Sequence, residues 1–369
     1  MFRKGFIFTA VLLLVLLLGL GSIYAATSYP IFLNGEKTNI EGTTENGVTT
    51  TTLRQLAENL GFTVEFKDGM ILLNSSKVDA EEGLKITTLA ENNNAEHESL
   101  TKEFGFSVYI ENGSDKIIFD TAKAGEFLNN AQKLNIDLDE ANTLVLSHAH
   151  YDHCGGVIKF FDDYGADGKT LFVKDTFFDS SDNKYYYDSV GQKLDFTDGT
   201  PGYFPVGIDF SQEDLKAKNV AVEFIDGDSI RVGKNSVIFG NFEPSLDQKM
   251  LVKNNGKYAV DNFDEEIALA IDTEKGLVIV SGCSHNGILN IVNDIQERTG
   301  KKVYAVIGGF HLLDATEDKI QSTIDRFKEL DVEKIGLSHC TGPKATKMFL
   351  EQMPDRTFIN ETGSIFEVK

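Results

Sequence analysis

The chain has 369 residues, with 57 aspartates and glutamates against 35 lysines and arginines, and a formal net charge of −22. That length predicts two or three domains rather than one, and so acidic a surface repels phosphate backbones, which argues against a nuclease working on long DNA or RNA and leaves small substrates open. The three cysteines, Cys154, Cys283 and Cys340, are too few and too close to other motifs to read as a disulfide framework.

Residues 1–26 read as an export signal: Arg3 and Lys4 give a positive start, Phe6 to Leu20 is almost purely apolar, and Ile23-Tyr24-Ala25 offers a small-residue cleavage site. The protein is therefore expected outside the cytoplasm, extracellular or in the cell envelope. An uncleaved N-terminal membrane anchor is the competing reading, because the apolar run approaches spanning length. No cysteine follows the run, so a lipid-anchored form is not expected.

Residues 27–75 predict a small α+β module. Pro30 to Leu33 suits a strand, Asn34-Gly35 a turn, Thr52 to Leu60 a helix ending at Gly61, and Phe62 to Phe66 with Met70 to Leu73 a hairpin around Asp68-Gly69. The run from Leu53 to Phe66 resembles the small N-terminal domain of copper amine oxidases, which also occurs as a stalk-like module on exported bacterial proteins. The resemblance implies attachment or spacing at the cell envelope. It does not imply copper, since the segment holds no histidine or cysteine and only Met70 among soft ligands. Residues 76–83 are polar and charged and read as a linker.

The main domain, 84–369, opens with strand-like Leu84 to Leu89, Phe106 to Ile110 and Lys116 to Phe119, then a helix from Ala124 to Leu134 and a strand from Thr143 to Leu146. From Phe160 to Phe210 the periodicity breaks down into an aromatic, Asp-rich and Gly-rich stretch that includes Phe177-Phe178 and Tyr185-Tyr186-Tyr187. It reads either as a cap shaping access to a site or as a variable surface insertion. Order returns with strands at Ile267 to Ile271, Leu277 to Val280, Val303 to Ile307 and Ile335 to Leu337, and helices at Ile288 to Ile295 and Ile320 to Leu330. Strands alternating with helices after an early run of strands predict an α/β sandwich.

Six of the seven histidines share one grammar, an apolar strand followed by histidine in a turn. His148, His150, Asp152 and His153 pack four ligand types into six positions, enough for one metal and room for two. His285, His311 and His339 each follow their own strand, and strand ends converging on one edge would place them in a shared cleft. His285 and His339 are the candidates to complete the ligand set. His311 is either a ligand or a buried, hydrogen-bonded histidine, and Cys283 either a ligand or a small buried residue beside the site. His97 sits in a polar loop and is expected to be exposed.

The His-x-His-x-Asp-His run resembles the metallo-β-lactamase superfamily. The segments Leu89-Ala90-Glu91-Asn92, Glu103 to Ser107, Phe119-Asp120-Thr121, Ser147 to Gly156, Gly282 to Ile288, Gly308 to Leu312 and His339 to Gly342 are similar, in order, to its dihydropteroate-synthase-like branch, whose members are often labelled synthases of a 7,8-dihydropterin methanopterin precursor. The resemblance implies an αββα sandwich with metals at one edge. It implies that His148, His150 and His285 bind one metal and Asp152, His153 and His339 the other. The Gly-Asp pair that usually bridges the metals is replaced by Gly282-Cys283, so Cys283, His285 and the acids Asp264, Glu265 and Glu266 compete for the remaining positions.

These observations lead to an exported metal-dependent hydrolase acting on an ester, lactone or phosphoester-type small molecule. One or two Zn2+ ions, with Mn2+ or iron suited to the same ligands, would activate a water that Asp152 orients or deprotonates. An iron-dependent oxidoreductase on the same fold and an envelope-associated metal-bearing binding protein are the alternatives.

Overall fold

The computed structural model describes residues 28–33, 36–45, 48–53, 56–57, 62–67, 70–75, 83–180, 183–187, 202–247 and 249–369. The leader at 1–26, the turns Asn34-Gly35 and Asp68-Gly69, most of the helix expected from Thr52 to Leu60, and the linker up to Glu82 lie outside these residues. The chain divides into two units, Met1–Lys77 and Val78–Lys369.

In the first unit, β1 (Ser28–Leu33) pairs antiparallel with β2 (Glu36–Glu45), which pairs with β3 (Val48–Thr50). The strands β4 (Phe62–Lys67) and β5 (Met70–Ser75) form a hairpin with Lys67 opposite Met70. The sequence reading did not include β2, because its threonines suit an extended strand without any apolar alternation.

The second unit begins with β6 (Leu84–Ala90), β7 (Ser107–Asn112), β8 (Asp115–Phe119), α1 (Glu126–Lys133) and β9 (Thr143–Val145). There follow the short α2 (Tyr151–Cys154), α3 (Val157–Tyr164), β10 (Thr170–Lys174), β11 (Lys184–Tyr187), β12 (Tyr203–Pro205), α4 (Gln212–Ala217) and β13 (Ala221–Ile225). Then come β14 (Ser229–Arg231), β15 (Ser236–Phe239), β16 (Met250–Asn254), β17 (Lys257–Val260), β18 (Ala268–Thr273), β19 (Gly276–Ser281) and α5 (Ile288–Thr299). The chain ends through β20 (Val303–Gly309), α6 (Glu317–Glu329), β21 (Lys334–Ser338), α7 (Pro343–Gln352), β22 (Thr357–Ile359) and β23 (Ile365–Val368).

Two seven-stranded sheets, ordered β13-β10-β9-β8-β7-β6-β23 and β14-β15-β18-β19-β20-β21-β22, make the centre of an αββα sandwich. Their interior strands are largely apolar on both faces, because each sheet is covered by its partner on one side and by helices on the other. Along β19, Val278 and Val280 enter the core between the sheets while Leu277 and Ile279 pack under α5 and α6. Along β7 and β8, Val108, Ile110, Ile117 and Phe119 face inward, and Tyr109 and Ile118 face α1 and α3. Among the described residues no helix is long and apolar enough to cross a membrane.

The 160–210 stretch is not a single insertion. Its segment Thr170–Lys174 is β10, an interior strand of the first sheet, parallel to β9 and β13, and Phe177 is buried in the core beneath that sheet. Only β11 and β12 leave the sandwich, joining β16 and β17 in a four-stranded sheet; residues 188–201 lie outside the description. The helix α7 was also not anticipated. Its start is set by Gly342 at φ 77° and Pro343 in the first turn.

Phe327 of α6 stacks on Phe310 at 5.5 Å between ring centroids and meets Phe349 of α7 edge-on at 5.9 Å. Phe327→Ala should cost about 3–5 kcal/mol, read as a lower urea midpoint at unchanged slope in equilibrium unfolding.

Candidate metal centre

The strand directions bring the chemistry to one edge. Strands β8, β9 and β10 run parallel, as do β19 to β22, so the loops leaving β8, β9, β19, β20 and β21 open on the same side of the sandwich. The loops after β6 and before β18 reach this edge too, because each of those strands lies two antiparallel pairings or one away from a parallel one. Ile267 N–H donates to Ser147 O at 2.8 Å and stitches the two sheets together there.

At the bottom of the site lies Asp120, fully buried just after β8. Its carboxylate accepts from Ser147 N–H at 2.7 Å, from Ser147 Oγ at 2.8 Å and from His153 Nδ1 at 2.6 Å. Because Ser147 Oγ spends its proton on Asp120, it accepts from His148 Nδ1 at 2.8 Å. The network thus assigns the Nδ1–H tautomer to both histidines and turns each Nε2 lone pair toward the cleft. Gly282 is required beside this group, since a Cβ there would lie 2.1 Å from Ser147 Oγ and 3.0 Å from Asp120 Oδ2.

His339 is set in the same way by other residues. Its Nδ1 donates to Asn92 Oδ1 at 3.0 Å, and its Nε2 lies 3.1 Å from Asp152 Oδ2. Glu91 accepts from His339 N–H and from Asn93 N–H. Across the site Glu266 accepts from His285 N–H and Asn286 N–H, both at 2.7 Å. Each ligand-bearing loop is therefore held through its backbone by one buried glutamate.

The imidazoles of His148, His150 and His285 are in mutual ring contact at 4.6 to 4.8 Å between centroids. His148 Nε2, His150 Nε2 and both nitrogens of His285 are buried without any hydrogen-bond partner. Orphaned donors and acceptors at this density are costly unless something else satisfies them. Burial holds all three histidines neutral, well below the ordinary histidine range, with neighbouring histidines adding to the effect. Neutral imidazole is the form that ligates a cation. Asp152 stays ionised: burial would raise it, but the hydrogen bond from His339 and the facing histidines pull it below the usual carboxylate range.

Cys283 occupies the middle. Ligand atoms of His148, Cys283 and His285 lie within 4.8 Å of one another, and so do those of His153, Cys283 and His339. Its sulfur is 3.1 Å from His153 Nε2. One thiol thus stands between two histidine groups, in the place a bridging ligand would take. The residues fit one or two divalent cations of the zinc type, which favour nitrogen and sulfur donors.

Of the acids expected to compete for ligand positions, none supplies one. Asp264 is exposed on a turn. Glu265 is neutralised by buried Lys184 at 2.8 Å and accepts from Ala149 N–H, and Glu266 is spent on backbone. Lys184 also pairs with Asp261 and stands 4.7 Å over the ring of Phe263, which stacks flat on His285 at 3.9 Å. His311 lines the cleft, 4.3 Å from His285 between ring centroids. His97 is half-buried against Gly363, in a loop whose neighbours Glu96 and Glu98 are exposed.

Glu91, Asn92, Asp120 and Ser147 lie in the segments that carry the family resemblance but have no role there, and no sequence pattern marks Lys184 or Phe263. The usable signal was an acid directly after an apolar strand, which Asp120 and Glu91 share with the histidines.

The cleft above these groups has a volume of about 1570 Å³. Phe104, Leu246, Leu313 and Ile359, four of the large exposed apolar side chains, line it. Tyr186 comes from β11 and donates to Asp314 at 3.2 Å, while Phe177 and Phe178 pack on each other away from the lining.

Comparison with known proteins adds three likenesses. The pattern of the metallo-beta-lactamase superfamily matches residues 100–170. A protein of Methanocaldococcus jannaschii called 7,8-dihydropterin-6-methyl-4-(beta-D-ribofuranosyl)-aminobenzene-5'-phosphate synthase is 36% identical over 301 residues, covering 77% of this chain and 96% of that protein. The solved structure of Tm1679, described as a metal-dependent hydrolase of the beta-lactamase superfamily, superposes with a TM-score of 0.64 at 30% identity over 78% of this chain and 99% of its own.

Asp120→Asn cannot accept from His153 Nδ1 and both Ser147 donors at once. Cation affinity, measured by competition with a chromophoric chelator, should fall about 10- to 100-fold. A second expectation concerns the cation-free protein. Burial raises Glu91 to about 7 and Glu266 to about 8, against hydrogen bonds from their backbone partners that oppose it. Their stabilising contribution is whole below the unfolded value near 4.5 and is lost as pH rises through the folded values. The depressed histidines act oppositely, contributing above about 6.5 and losing that contribution as pH falls. Urea stability should therefore decline from about pH 6.5 to about pH 9, and Glu266→Gln should flatten that decline.

Proposed function

The chain belongs to the metallo-β-lactamase superfamily, and on that premise we propose that it is an exported metal-dependent hydrolase of a small ester, lactone or phosphoester, with zinc as its cation. The observation that carries the reading is the set of unpartnered nitrogens on His148, His150 and His285 beside ionised Asp152, at the floor of a cleft wide enough for a substrate. His148, His150, His285 and Cys283 would hold one cation, and Asp152, His153, His339 and Cys283 a second. A bound cation supplies Lewis-acid polarisation and lowers the pKa of water.

The protein's own residues do the rest. Asp152, ionised and lining the cleft, orients the attacking water and takes up its proton. Without a cation, His339, aligned by Asn92 and Glu91, keeps the Asp152 carboxylate in place through the 3.1 Å contact of its Nε2; that nitrogen would pass to the cation when one is bound. Phe104, stacked with Tyr151 at 6.3 Å and edge-on to His339 at 5.0 Å, screens that side from solvent. Export rests on the leader, and attachment at the envelope on the stalk-like module; N-terminal sequencing of the mature protein tests the first.

The relative's name supports a second reading, in which the same site bonds an aromatic amine to the exocyclic carbon of a dihydropterin as a leaving group departs from that carbon and the amine gives up a proton, because the likeness spans 96% of that protein. Supplying an arylamine beside water in the same assay separates the two. For the hydrolase, Asp152→Ala should lower turnover by about 10²-fold or more with a melting temperature close to wild type. Chelation should abolish activity and Zn2+ should restore it; full turnover by Asp152→Ala would refute the assigned role.

A further inference from the structure

Beside the histidine centre, the cleft wall carries two ligand residues that the hydrolase reading leaves unused, His311 and Cys340, next to the Cys283 that it does use. Cys283 Sγ, a ring nitrogen of His311 and Cys340 Sγ lie within 4.8 Å of one another. Bonds of about 2.0–2.3 Å to a tetrahedral cation place its ligand atoms roughly 3.5–4 Å apart, so little movement would close the set.

Three features hold this arrangement. Gly309 separates the two cysteines: a Cβ there would fall 2.5 Å from Cys340 Sγ and 3.4 Å from Cys283 Cα, so no other residue lets the ends of β19 and β21 bring their sulfurs together. His311 sits in the left-handed region at φ 47°, a conformation that costs a non-glycine residue free energy and persists only where the surroundings enforce it. Its N–H donates to Cys340 Sγ at 3.3 Å, and the Cys340 thiol donates to Cys283 O at 3.5 Å. Asp247 lies 3.8 Å from His311 Nε2, while His311 Nδ1 is buried with no partner. At 3.8 Å the Asp247 carboxylate is an ion-pair neighbour rather than a hydrogen-bond acceptor, and it favours the tautomer protonated on Nε2, which leaves Nδ1 free for a cation.

We propose that Cys283, His311 and Cys340 form a cation site of their own, sharing Cys283 with the histidine centre and open to the cleft in the fourth position. Two thiolates and an imidazole select a soft or borderline ion such as Zn2+ or Cd2+ and reject Mg2+ and Ca2+. All three residues line the cleft, so an ion held there would face a substrate from the wall while the histidine centre faces it from the floor. The proposal does not depend on hydrolysis, because its test counts ions.

The protein, stripped with chelator under a non-thiol reductant, is titrated with Co2+ while bound equivalents and thiolate-to-cobalt charge-transfer absorption are followed. Cys340→Ser and His311→Ala should each bind one equivalent fewer than wild type and lose part of that absorption. His148→Ala/His150→Ala should still bind cobalt with the thiolate band present. Equal stoichiometry and equal absorption in wild type, Cys340→Ser and His311→Ala would overturn the proposal, as would a histidine double variant that binds no cobalt. Should Cys340→Ser fail to fold, alkylation of the histidine double variant decides: Cd2+ should slow iodoacetamide labelling of its Cys340 at least several-fold, and an unchanged rate would overturn the assignment.

Discussion

A fully buried carboxylate has to be compensated at every oxygen, and Asp120 meets that requirement with Ser147 N–H, Ser147 Oγ and His153 Nδ1. The consequence spreads outward. Because Ser147 points its proton at Asp120, His148 is fixed in one tautomer, and because His153 donates to the same oxygen, it is fixed in the same one. Two histidines of the segment after β9 are thereby oriented by one charge that never reaches the cleft. The second sheet presses on this group through Gly282, so the meeting of the two sheets and the aim of the histidines are a single packing problem.

Much of this was legible in the sequence. The strand-then-histidine grammar places His148, His285, His311 and His339 at strand ends; that those strands run parallel and share one edge is what the fold adds. The supporting residues were not readable in the same way. Glu91 and Glu266 act by accepting from backbone N–H groups of residues far along the chain, 248 and 19 positions away, and no local pattern marks such an acceptor. Asp264, Glu265 and Glu266 look equivalent as a triplet of acids. They are separated only by fold: a turn puts the first in water, Lys184 claims the second, and the His285 loop claims the third.

The stretch from 160 to 210 misled for a related reason. Its Thr170–Lys174 strand is short and flanked by glycine and aspartate, so alternation is brief, yet parallel pairing on both sides makes it interior. Tertiary pairing outranks local pattern there. The backbone at the site carries a further signature that sequence does not display: Asp120, Phe263, Ser284, His311 and His339 all adopt positive φ between 47° and 59°. Such strain persists where surrounding contacts fix the side chain's direction more strongly than the backbone resists it.

The last strand, β23, pairs with the first strand of the same unit, β6, and the turn before it is tied to the site: Thr362 Oγ1 meets both Glu91 N–H and Glu91 O, and Asn360 receives Thr88 Oγ1. Glu91 in turn holds His339. The order of synthesis therefore matters to the metal centre. A nascent chain that has already made His339 still lacks that residue's support until residues 360–368 are free to pair with β6 and brace Glu91, so every candidate ligand is synthesised before the site can close.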